Sequence, residues 1–250
     1  MPDPDVPSHF VIAGAQRCGT TFLYRLLEEH PEIEMAKPLR PEPKFFLDDS
    51  KFALGLGYYD AQFFSDPSAR VRGEKSTSYI ESDRALQRIA ATMPEAPIVV
   101  VVRDPVARAI SNVRFSVQNG VENLPMAEAL HAATGEREWD TKRFSVSPFD
   151  YLARGRYADY LERAVRSVAP DNIHVVIFEE LVSDTAVIAR LYERLRVDAS
   201  FRPSAFHTVV NASDAGDEPV DPEIRDWLRA YFRAPNQRLA AFLGRQLPWP

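Results

Sequence analysis

Five consecutive β-branched residues, from Ile98 to Val102, constrain the fold more than any other stretch of this sequence. Branching at Cβ favours extended backbone over helix. A strand with one face in water would alternate apolar and polar side chains, whereas this run, between Pro97 and Arg103, is apolar at every position. The run therefore predicts a strand buried on both faces, as in the parallel sheets of α/β proteins.

Two further stretches of strand length, Phe10–Ala13 and Ile173–Phe178, are also mostly apolar and predict strands. Each of the three runs is followed by a stretch with the apolar spacing of a helix. These stretches are Phe22–Leu27, Val106–Phe115 and Ala186–Leu195. Strands that alternate with helices indicate an α/β fold, with a central parallel sheet joined by right-handed crossovers.

The rest of the chain contains loops and one long amphipathic stretch. Lys37–Phe46 holds three prolines and is predicted to be an extended loop. Pro203–Pro222 is polar and predicts a loop or flap. Asp221–Leu243 predicts one helix, or two that break near Pro235. Without repeats or an evident linker, we expect one domain over residues 1–250.

Charge and cysteine content exclude several classes of protein. The formal net charge of −6 disfavours a non-specific nucleic-acid binder. The single cysteine, Cys18, excludes an intramolecular disulfide, and no zinc-type spacing is present, so we expect no metal. No apolar run is long enough for a membrane span, and Met1–Asp5 lacks the character of a signal peptide, so the expected location is cytoplasmic. The oligomeric state is not predicted.

The negative charge is concentrated in one stretch of the chain. Asn211–Asp226 contains six acidic residues against the single cation Arg225, which accounts for −5 of the total of −6. The remainder is therefore close to neutral, and the net charge does not exclude an anionic nucleotide. A long polyanionic partner crossing this stretch is disfavoured, so we expect a small or weakly charged one.

The spacing Gly14-x4-Gly19, between a strand and a helix, is typical of a loop that cradles phosphate with backbone N–H groups. A Walker A motif would continue with lysine, but Thr20 and Thr21 come next here, and the cation Arg17 lies inside the loop instead. An ordinary strand–turn–helix connection is the alternative. Arg17 and the two threonines favour an anion site.

A second polar feature comes after the Ile98–Val102 strand. Arg103 is directly next to the strand end, where open α/β sheets place their ligands, and Ser111 lies in the next helix. Polar groups after two strands suggest a ligand with two separate phosphate-like groups. An arginine-rich, solvated helix face that also includes Arg108 and Arg114 is the alternative.

Together these segments resemble the sulfotransferases that use 3′-phosphoadenosine 5′-phosphosulfate (PAPS). Gly14–Leu23 resembles their 5′-phosphosulfate loop, and Val99–Ser111 resembles their 3′-phosphate motif. The similarity covers roughly residues 8–180, and it is strongest to the heparan sulfate N-sulfotransferase and glucosaminyl 3-O-sulfotransferase branch. Further matching segments are His30-Pro31, Glu42–Phe46, Gly57–Tyr59, Glu74–Tyr79 and Gly155–Leu161. The resemblance implies a P-loop-containing three-layer fold with PAPS as co-substrate.

The resemblance also implies which residues bind PAPS. Arg17 stands where the family usually has a lysine, so it would supply positive charge to the leaving phosphate but no proton. Arg103 and Ser111 would hold the 3′-phosphate through charge-assisted contacts. The full implied set is Gly14, Gln16, Arg17, Cys18, Gly19, Thr20, Thr21, Arg103, Ser111 and Tyr157.

The same resemblance implies the catalytic and acceptor groups. Glu42 matches the acidic residue that serves as base, a group the reaction needs because the acceptor loses a proton as sulfur is attacked. A solvated surface glutamate is the alternative interpretation. Lys75 matches a lysine that contacts the sulfonate or the acceptor. Lys44 and Glu74 are expected on the acceptor side, and Glu74, which could instead orient a neighbour, is the second candidate for the base.

Some positions depart from the family pattern. Lys44 replaces the His or Gln that is frequent in the glycan enzymes. The cysteine-containing basic loop that covers the adenosine there has an acidic counterpart here, in which Asn211 and Ser213 are weak candidates for contacts. An aromatic group that includes Phe45, Phe46 and Tyr59 could line a cleft, although such clusters more often form core.

The expected activity is direct in-line transfer of sulfonate from PAPS to a hydroxyl or amine of a carbohydrate or small natural-product acceptor. One rival is a P-loop kinase that uses ATP, which the missing Walker lysine disfavours. Another rival is a non-catalytic module that binds a nucleotide or a sulfated ligand. Glu42 together with Lys75 favours an enzyme over such a module.

Overall fold

The computed structural model describes residues 8–208 and 220–249. Within these ranges the chain forms two compact units. The first consists of residues 8–102 and 163–208, and the second of residues 103–162 and 220–249. The single domain expected over residues 1–250 stays a prediction. The expectations for Met1–Asp5, Asn211 and Ser213 lie outside the described residues.

The first unit is built on a five-stranded parallel sheet, in the order β2-β3-β1-β4-β5. The strands are β1 (Ser8–Gly14), β2 (Ile33–Met35), β3 (Val71–Lys75), β4 (Ile98–Val102) and β5 (Ile173–Ile177). The three predicted strands are therefore confirmed, as is the central parallel sheet of the predicted α/β fold. The expected end of the third differs by one residue, because Phe178 begins a short helix.

Strand β4 lies inside the sheet, and all five of its residues are buried. This burial is the reason for its uninterrupted apolar sequence. Strand β1 lies at the centre, and its Ile12 is in register with Lys75 of β3. Because the strands are parallel, the carboxyl ends of β1 and β3 lie at the same edge of the sheet. The glycine loop after β1 therefore begins beside the residues that come after β3.

Ten α-helices are found in the described residues. They are α1 (Thr20–Glu28), α2 (Asp49–Phe52), α3 (Gly55–Phe63), α4 (Asp83–Thr92), α5 (Pro105–Gln118), α6 (Met126–Ala132), α7 (Tyr157–Ala164), α8 (Phe178–Leu181), α9 (Thr185–Leu195) and α10 (Pro222–Leu243). The three helices predicted after the strands correspond to α1, α5 and α9. Helices of the first unit flank the sheet, which confirms the predicted layered α/β class.

The second unit has its own apolar core, in which α5, α6 and α10 pack together. Helix α5 contributes Ile110 and Val113, and α10 contributes Leu228 and Phe232. Of the two alternatives for Asp221–Leu243, the single helix is confirmed and the break near Pro235 is wrong, because α10 runs without interruption through this residue. Pro235 removes one backbone hydrogen bond, but the buried stripe on this helix continues on both sides of it.

The loop predicted over Lys37–Phe46 is confirmed, since neither helix nor strand is assigned between Met35 and Asp49. We refer to it as the proline loop. In the predicted loop or flap Pro203–Pro222, Ser204–Thr208 form a short 3-10 turn, and residues 209–219 lie outside the described residues. Among the helices of residues 8–208 and 220–249, none is long and apolar enough to cross a membrane.

Candidate active site

The glycine loop, Gly14–Gly19, connects the central strand β1 to helix α1. Its start is fixed to the sheet, because the Ala15 N–H donates to the carbonyl oxygen of Val101 over 2.9 Å. Its end is Gly19, which has a φ of 83° and precedes the first helical residue, Thr20. A side chain at Gly19 would meet the ring of Phe178, because a Cβ there would lie 2.2 Å from the ring carbons. Glycine is therefore required both by the backbone and by the contact.

Five of the predicted cofactor residues lie within this loop: its two end glycines, and Gln16, Arg17 and Cys18 between them. Cys18 is buried, and its N–H donates to the Ala15 carbonyl over 3.3 Å, so it contributes to the shape of the loop. The side-chain amide of Gln16 donates to Glu81 over 2.8 Å. Arg17 is partly exposed and has a φ of 65°, a left-handed conformation that is uncommon for a non-glycine residue.

The N-terminus of α1 comes after the loop and has no side-chain cap. The first N–H groups of a helix have no carbonyl partner within it, and they carry the positive end of the helix dipole. Thr20 and Thr21 begin the helix and place two hydroxyl groups there. With the cation Arg17 in the preceding loop, these groups fit the phosphosulfate end of a nucleotide.

Glu42 lies in the proline loop and is held by residues at the end of strand β3 and just beyond it. The Lys75 ammonium donates a hydrogen bond to Glu42 Oε1 and forms an ion pair with it. The Thr77 N–H donates to Glu42 Oε2 over 3.0 Å, and the Thr77 hydroxyl lies 3.2 Å from both carboxylate oxygens. The side chain of Lys75 is 4% exposed and that of Glu42 is 17% exposed, so the pair is largely shielded from water.

The glycine loop and the Glu42 site lie next to one another. A Cβ built on Gly14 would lie 3.3 Å from the carbonyl oxygen of Thr77, the residue that binds Glu42. The Ser76 N–H donates to the Ile12 carbonyl over 3.1 Å, which continues the β1–β3 pairing to this point. The structure therefore brings the loop, Glu42 and Lys75 together at one edge of the sheet.

Glu74 is fully buried and accepts three hydrogen bonds from hydroxyl groups. Ser76 Oγ lies 2.5 Å and Tyr79 Oη lies 2.6 Å from Glu74 Oε1, while Tyr59 Oη lies 3.0 Å from Oε2. Burial raises the pKa of Glu74 to about 7, and the three hydroxyl donors act in the opposite direction. Two tyrosines and a serine therefore surround the Glu74 carboxylate, and its role toward an acceptor stays a prediction.

Lys44 lies two residues after Glu42 and has a φ of 50°. Its N–H donates to Ser76 Oγ over 2.9 Å, and its carbonyl accepts from the Leu47 N–H over 3.1 Å. The side chain is partly exposed. Its role toward an acceptor stays a prediction.

Arg103, Ser111 and Tyr157 belong to the second unit. The Tyr157 hydroxyl donates to the Arg103 carbonyl over 2.8 Å, and the Arg103 N–H donates back over 3.4 Å. Tyr157 is buried, and its hydroxyl fixes the backbone of Arg103, the residue directly after β4. Ser111 is buried on α5. Their contact with a 3′-phosphate stays a prediction.

Sequence reasoning missed several residues of the site. Thr77 lies within the matching segment Glu74–Tyr79, but its contact with Glu42 depends on strand β3, which the sequence did not reveal. Phe178, which packs on Gly19, is too distant in the sequence for any local pattern to reveal the contact. The aromatic group is core, because Phe45, Phe46 and Tyr59 are fully buried. No cluster of three or more His, Cys, Asp or Glu is found in the described parts of the chain.

Comparison with known proteins agrees with this geometry. The sulfotransferase domain family matches residues 7–213. Heparan sulfate glucosamine 3-O-sulfotransferase 5 of Mus musculus is 25% identical over 264 residues, covering 96% of this chain and 73% of that protein. Heparan sulfate glucosamine 3-O-sulfotransferase 6 of Homo sapiens is 32% identical over 176 residues, covering 70% of this chain and 48% of that protein. The resemblance found in the sequence is thereby confirmed.

Solved structures are similar over almost the whole chain. A sulfotransferase from Alicyclobacillus acidocaldarius gives a TM-score of 0.77 at 26% identity and covers 97% of each chain. Mouse sulfotransferase SULT7A1, complexed with PAP, gives a TM-score of 0.56 at 16% identity over 95% of this chain and 88% of its own, which shows a shared fold alone. Because the family match spans well over half of its residues, the chain belongs to the sulfotransferase domain family and is a sulfonate-transferring enzyme.

Proposed function

We propose that this enzyme transfers sulfonate from PAPS to a hydroxyl or amine of a carbohydrate or small natural-product acceptor, with Glu42 as the general base. The observation that carries the proposal is the Glu42–Lys75 pair beside the glycine loop. A carboxylate and an ammonium at this edge of the sheet supply a proton acceptor and a positive charge at one place. A binding module needs the loop but has no use for a base.

The proposed reaction uses the carboxylate of Glu42 and the positive charges of Lys75 and Arg17. When bound, PAPS supplies a sulfonate that is joined to its 5′-phosphate through a bridging oxygen. Glu42 accepts the proton of the acceptor hydroxyl or amine as that oxygen or nitrogen bonds to sulfur. The bond between sulfur and the bridging oxygen breaks, and its electron pair remains on the phosphate of adenosine 3′,5′-bisphosphate. Lys75 and Arg17 stabilise this added negative charge.

The nucleotide is proposed to be held by two sets of residues, one for each of its phosphate-bearing ends. The N–H groups at the start of α1, with Thr20, Thr21 and Arg17, receive the 5′-phosphosulfate. Arg103 and Ser111 receive the 3′-phosphate, which explains why Tyr157 fixes the Arg103 backbone. Arg17 remains protonated at neutral pH, so its contribution is charge and orientation rather than proton donation.

The acceptor is proposed to be small or weakly charged. Two of the relatives named for comparison are heparan sulfate glucosamine 3-O-sulfotransferases, and heparan sulfate is a polyanion. In this chain, six acidic residues between Asn211 and Asp226 outnumber the single arginine there. Repulsion from such a stretch would weaken the binding of a long polyanionic chain.

Two measurements test the proposal. Calorimetry should detect binding of adenosine 3′,5′-bisphosphate and no binding of ATP–Mg²⁺; no binding of the bisphosphate would contradict PAPS as the donor. Radiolabelled sulfonate from PAPS is then offered to an alkyl glucoside, a phenol and a heparan-type oligosaccharide, with each product resolved by chromatography. Transfer to one of the first two supports the proposal. Transfer to the heparan-type oligosaccharide alone would contradict the small or weakly charged acceptor.

A further inference from the structure

Two hydroxyl groups connect the buried Glu74 carboxylate to the backbone of the proline loop. Ser76 Oγ accepts from the Lys44 N–H over 2.9 Å and lies 2.5 Å from Glu74 Oε1. Tyr79 Oη accepts from the Phe46 N–H over 3.1 Å and lies 2.6 Å from the same oxygen. We call Ser76 Oγ and Tyr79 Oη the bridging hydroxyls.

The direction of these hydrogen bonds is set by the groups involved. A backbone N–H can only donate, so each bridging hydroxyl accepts from the loop and has its single hydrogen left for Glu74. A carboxylate oxygen can accept two such bonds, and Oε1 is placed to do so. Each bridging hydroxyl therefore accepts one hydrogen bond from the loop backbone and donates one to Glu74. The loop backbone is thus linked to the Glu74 carboxylate through two hydroxyl groups.

The anchored residues determine where Glu42 lies. Lys44 is separated from Glu42 only by Pro43, whose ring fixes its φ and which is itself buried. A shift of the Lys44 backbone would therefore be passed on to Glu42 with little loss. The carboxylate of Glu42 is held separately, by Lys75 and the Thr77 N–H.

Residues 74–77 thus act on Glu42 in two ways: two of them hold its carboxylate, and two of them hold the backbone of its loop. Lys75 and Thr77 hold the carboxylate of Glu42. Glu74 and Ser76, the alternate positions, hold the backbone of its loop. For Glu74 and Lys75 this division reflects the alternation of side chains along strand β3.

We propose that Glu74 is a positioning residue, which acts through the bridging hydroxyls to hold the proline loop so that Glu42 faces the acceptor. The inference rests on the proposed function of Glu42. It assigns Glu74 neither to the base nor to acceptor binding, because the carboxylate is enclosed by three hydroxyl groups.

The structure offers a matched control for the bridging tyrosine. Tyr59 and Tyr79 are both fully buried, and both donate to Glu74. Only Tyr79 accepts a hydrogen bond from the loop; the Tyr59 hydroxyl has no such bond to the described loop residues. Tyr59→Phe and Tyr79→Phe therefore each remove one hydrogen bond to Glu74, but only the second breaks a bridge.

The test compares Tyr79→Phe and Ser76→Ala with Tyr59→Phe. We expect the two bridge variants to lower kcat about tenfold or more at saturating PAPS, since small misplacements of a reacting group are costly. Tyr59→Phe is expected to stay within a factor of about three. Urea unfolding checks that all variants are folded, and binding of adenosine 3′,5′-bisphosphate is expected to be unchanged.

Hydrogen–deuterium exchange supplies a measurement that needs no acceptor. Faster exchange at the Lys44 amide in Ser76→Ala and at the Phe46 amide in Tyr79→Phe, with neither changed in Tyr59→Phe, supports the anchoring. Unchanged exchange in the bridge variants overturns it. Faster exchange with a kcat equal to that of Tyr59→Phe overturns the positioning role, because the bridges would then stabilise the loop without serving the reaction.

A failure of the proposed function gives a different pattern. If Glu42→Gln retains full activity, Glu42 is not the base, whatever the bridge variants do. If Glu42→Gln is inactive while the three hydroxyl variants are equally active, only the positioning inference fails. These results are therefore distinguishable within one set of proteins.

Discussion

The ammonium of Lys75 donates a hydrogen bond to Oε1 of Glu42, across an ion pair largely shielded from water. The two residues are 33 positions apart in the chain. Strand β3 brings the lysine to the edge of the sheet, and the proline loop brings the glutamate to it. Each charge is stabilised by the other, so substitution of either has both a chemical and a structural consequence.

Replacement of Glu42 tests the base directly. Glu42→Gln keeps one oxygen, which can accept from the Thr77 N–H or from Lys75 but not from both, and its amide cannot accept a proton from the acceptor. We expect the rate of transfer to fall by about 10² to 10⁴, the usual contribution of a general base. Binding of adenosine 3′,5′-bisphosphate should be retained. Glu95→Gln, which changes an exposed carboxyl, is the control and should behave like the wild type.

Gly19→Ala tests the glycine loop. The new Cβ would meet the Phe178 ring, and the φ of 83° is unfavourable for alanine, so we expect a loss of at least about 2 kcal/mol in stability together with weaker nucleotide binding. Gly57→Ala is the control, because nothing lies within 4 Å of its Cβ. Helix propensity should make that variant neutral or more stable by about 0.5–1 kcal/mol. Equal urea midpoints for the two variants would contradict the assignment.

The burial of Glu74 predicts a pH dependence of stability. Its pKa in the folded protein is about 7, against 4.5 for an ordinary glutamate, so the folded state binds more protons between these values. Stability should therefore fall as pH rises from about 4.5 to about 7, by up to about 3 kcal/mol, and this effect should be constant above that range. Urea unfolding of the wild type and Glu74→Gln at pH 5 and pH 8 measures it. A difference between the two proteins that does not change with pH would contradict the prediction.

The second unit contains a buried ion pair whose loss should be costly. Glu122 is buried and accepts from Arg137 over 2.5 Å and from the Tyr151 hydroxyl over 3.0 Å. Burial alone would raise the pKa of Glu122, but the bonds from Arg137, Leu124 and Tyr151 outweigh it and lower the pKa.

Arg137→Met should accordingly destabilise the protein by about 3 kcal/mol at pH 7, because a buried carboxylate loses its partner. The loss should shrink at low pH, since the wild-type pair is itself lost as pH falls through the lowered pKa of Glu122. The double variant Arg137→Met, Glu122→Gln should recover part of the stability in urea unfolding. No recovery would show that Arg137 acts through its packing on Phe149 instead.

Arg103→Ala tests the predicted contact with the 3′-phosphate. Loss of one charge-assisted hydrogen bond should weaken binding of adenosine 3′,5′-bisphosphate about tenfold to 100-fold in calorimetry. Adenosine 5′-phosphate, which lacks the 3′-phosphate, should bind wild type and variant equally. Arg229→Ala removes an exposed arginine of the same unit and serves as the control. An unchanged affinity in Arg103→Ala would remove this residue from the site.

The fold could be predicted from the sequence wherever a strand consists mostly of apolar, β-branched residues. Strand β4 is apolar throughout because both faces are covered, and the buried part of β1 is apolar for the same reason. Strand β5 is an edge strand and only partly buried, but its β-branched residues made it recognisable. Strand β3 was not predicted, because Arg72, Glu74 and Lys75 make it look like surface. Its polar side chains are paired inside the protein, and pairing across long sequence distances leaves no local pattern. The same holds for β2, which is only three residues long.

Motifs identified the main residues of the site, but they did not reveal the residues that contact and hold them. Glu42, Lys75 and the glycine loop were identified, and the structure places them together. The partners that hold them, Thr77 and Phe178, were not identified, since their roles depend on the register of β3 and on the position of β5. Pro235 illustrates the opposite error, because tertiary packing preserves a helix that local rules would break.

The alternation along β3 limits how this enzyme can change during evolution. Insertion or deletion of a single residue within the strand would move Glu74 to the face of Lys75, and Lys75 into the tyrosine pocket. A buried ammonium would then face three hydroxyl groups, and two carboxylates would meet at Glu42. Length variation in this part of the chain is therefore expected in the connections before and after β3, while the strand itself admits substitutions but no gaps.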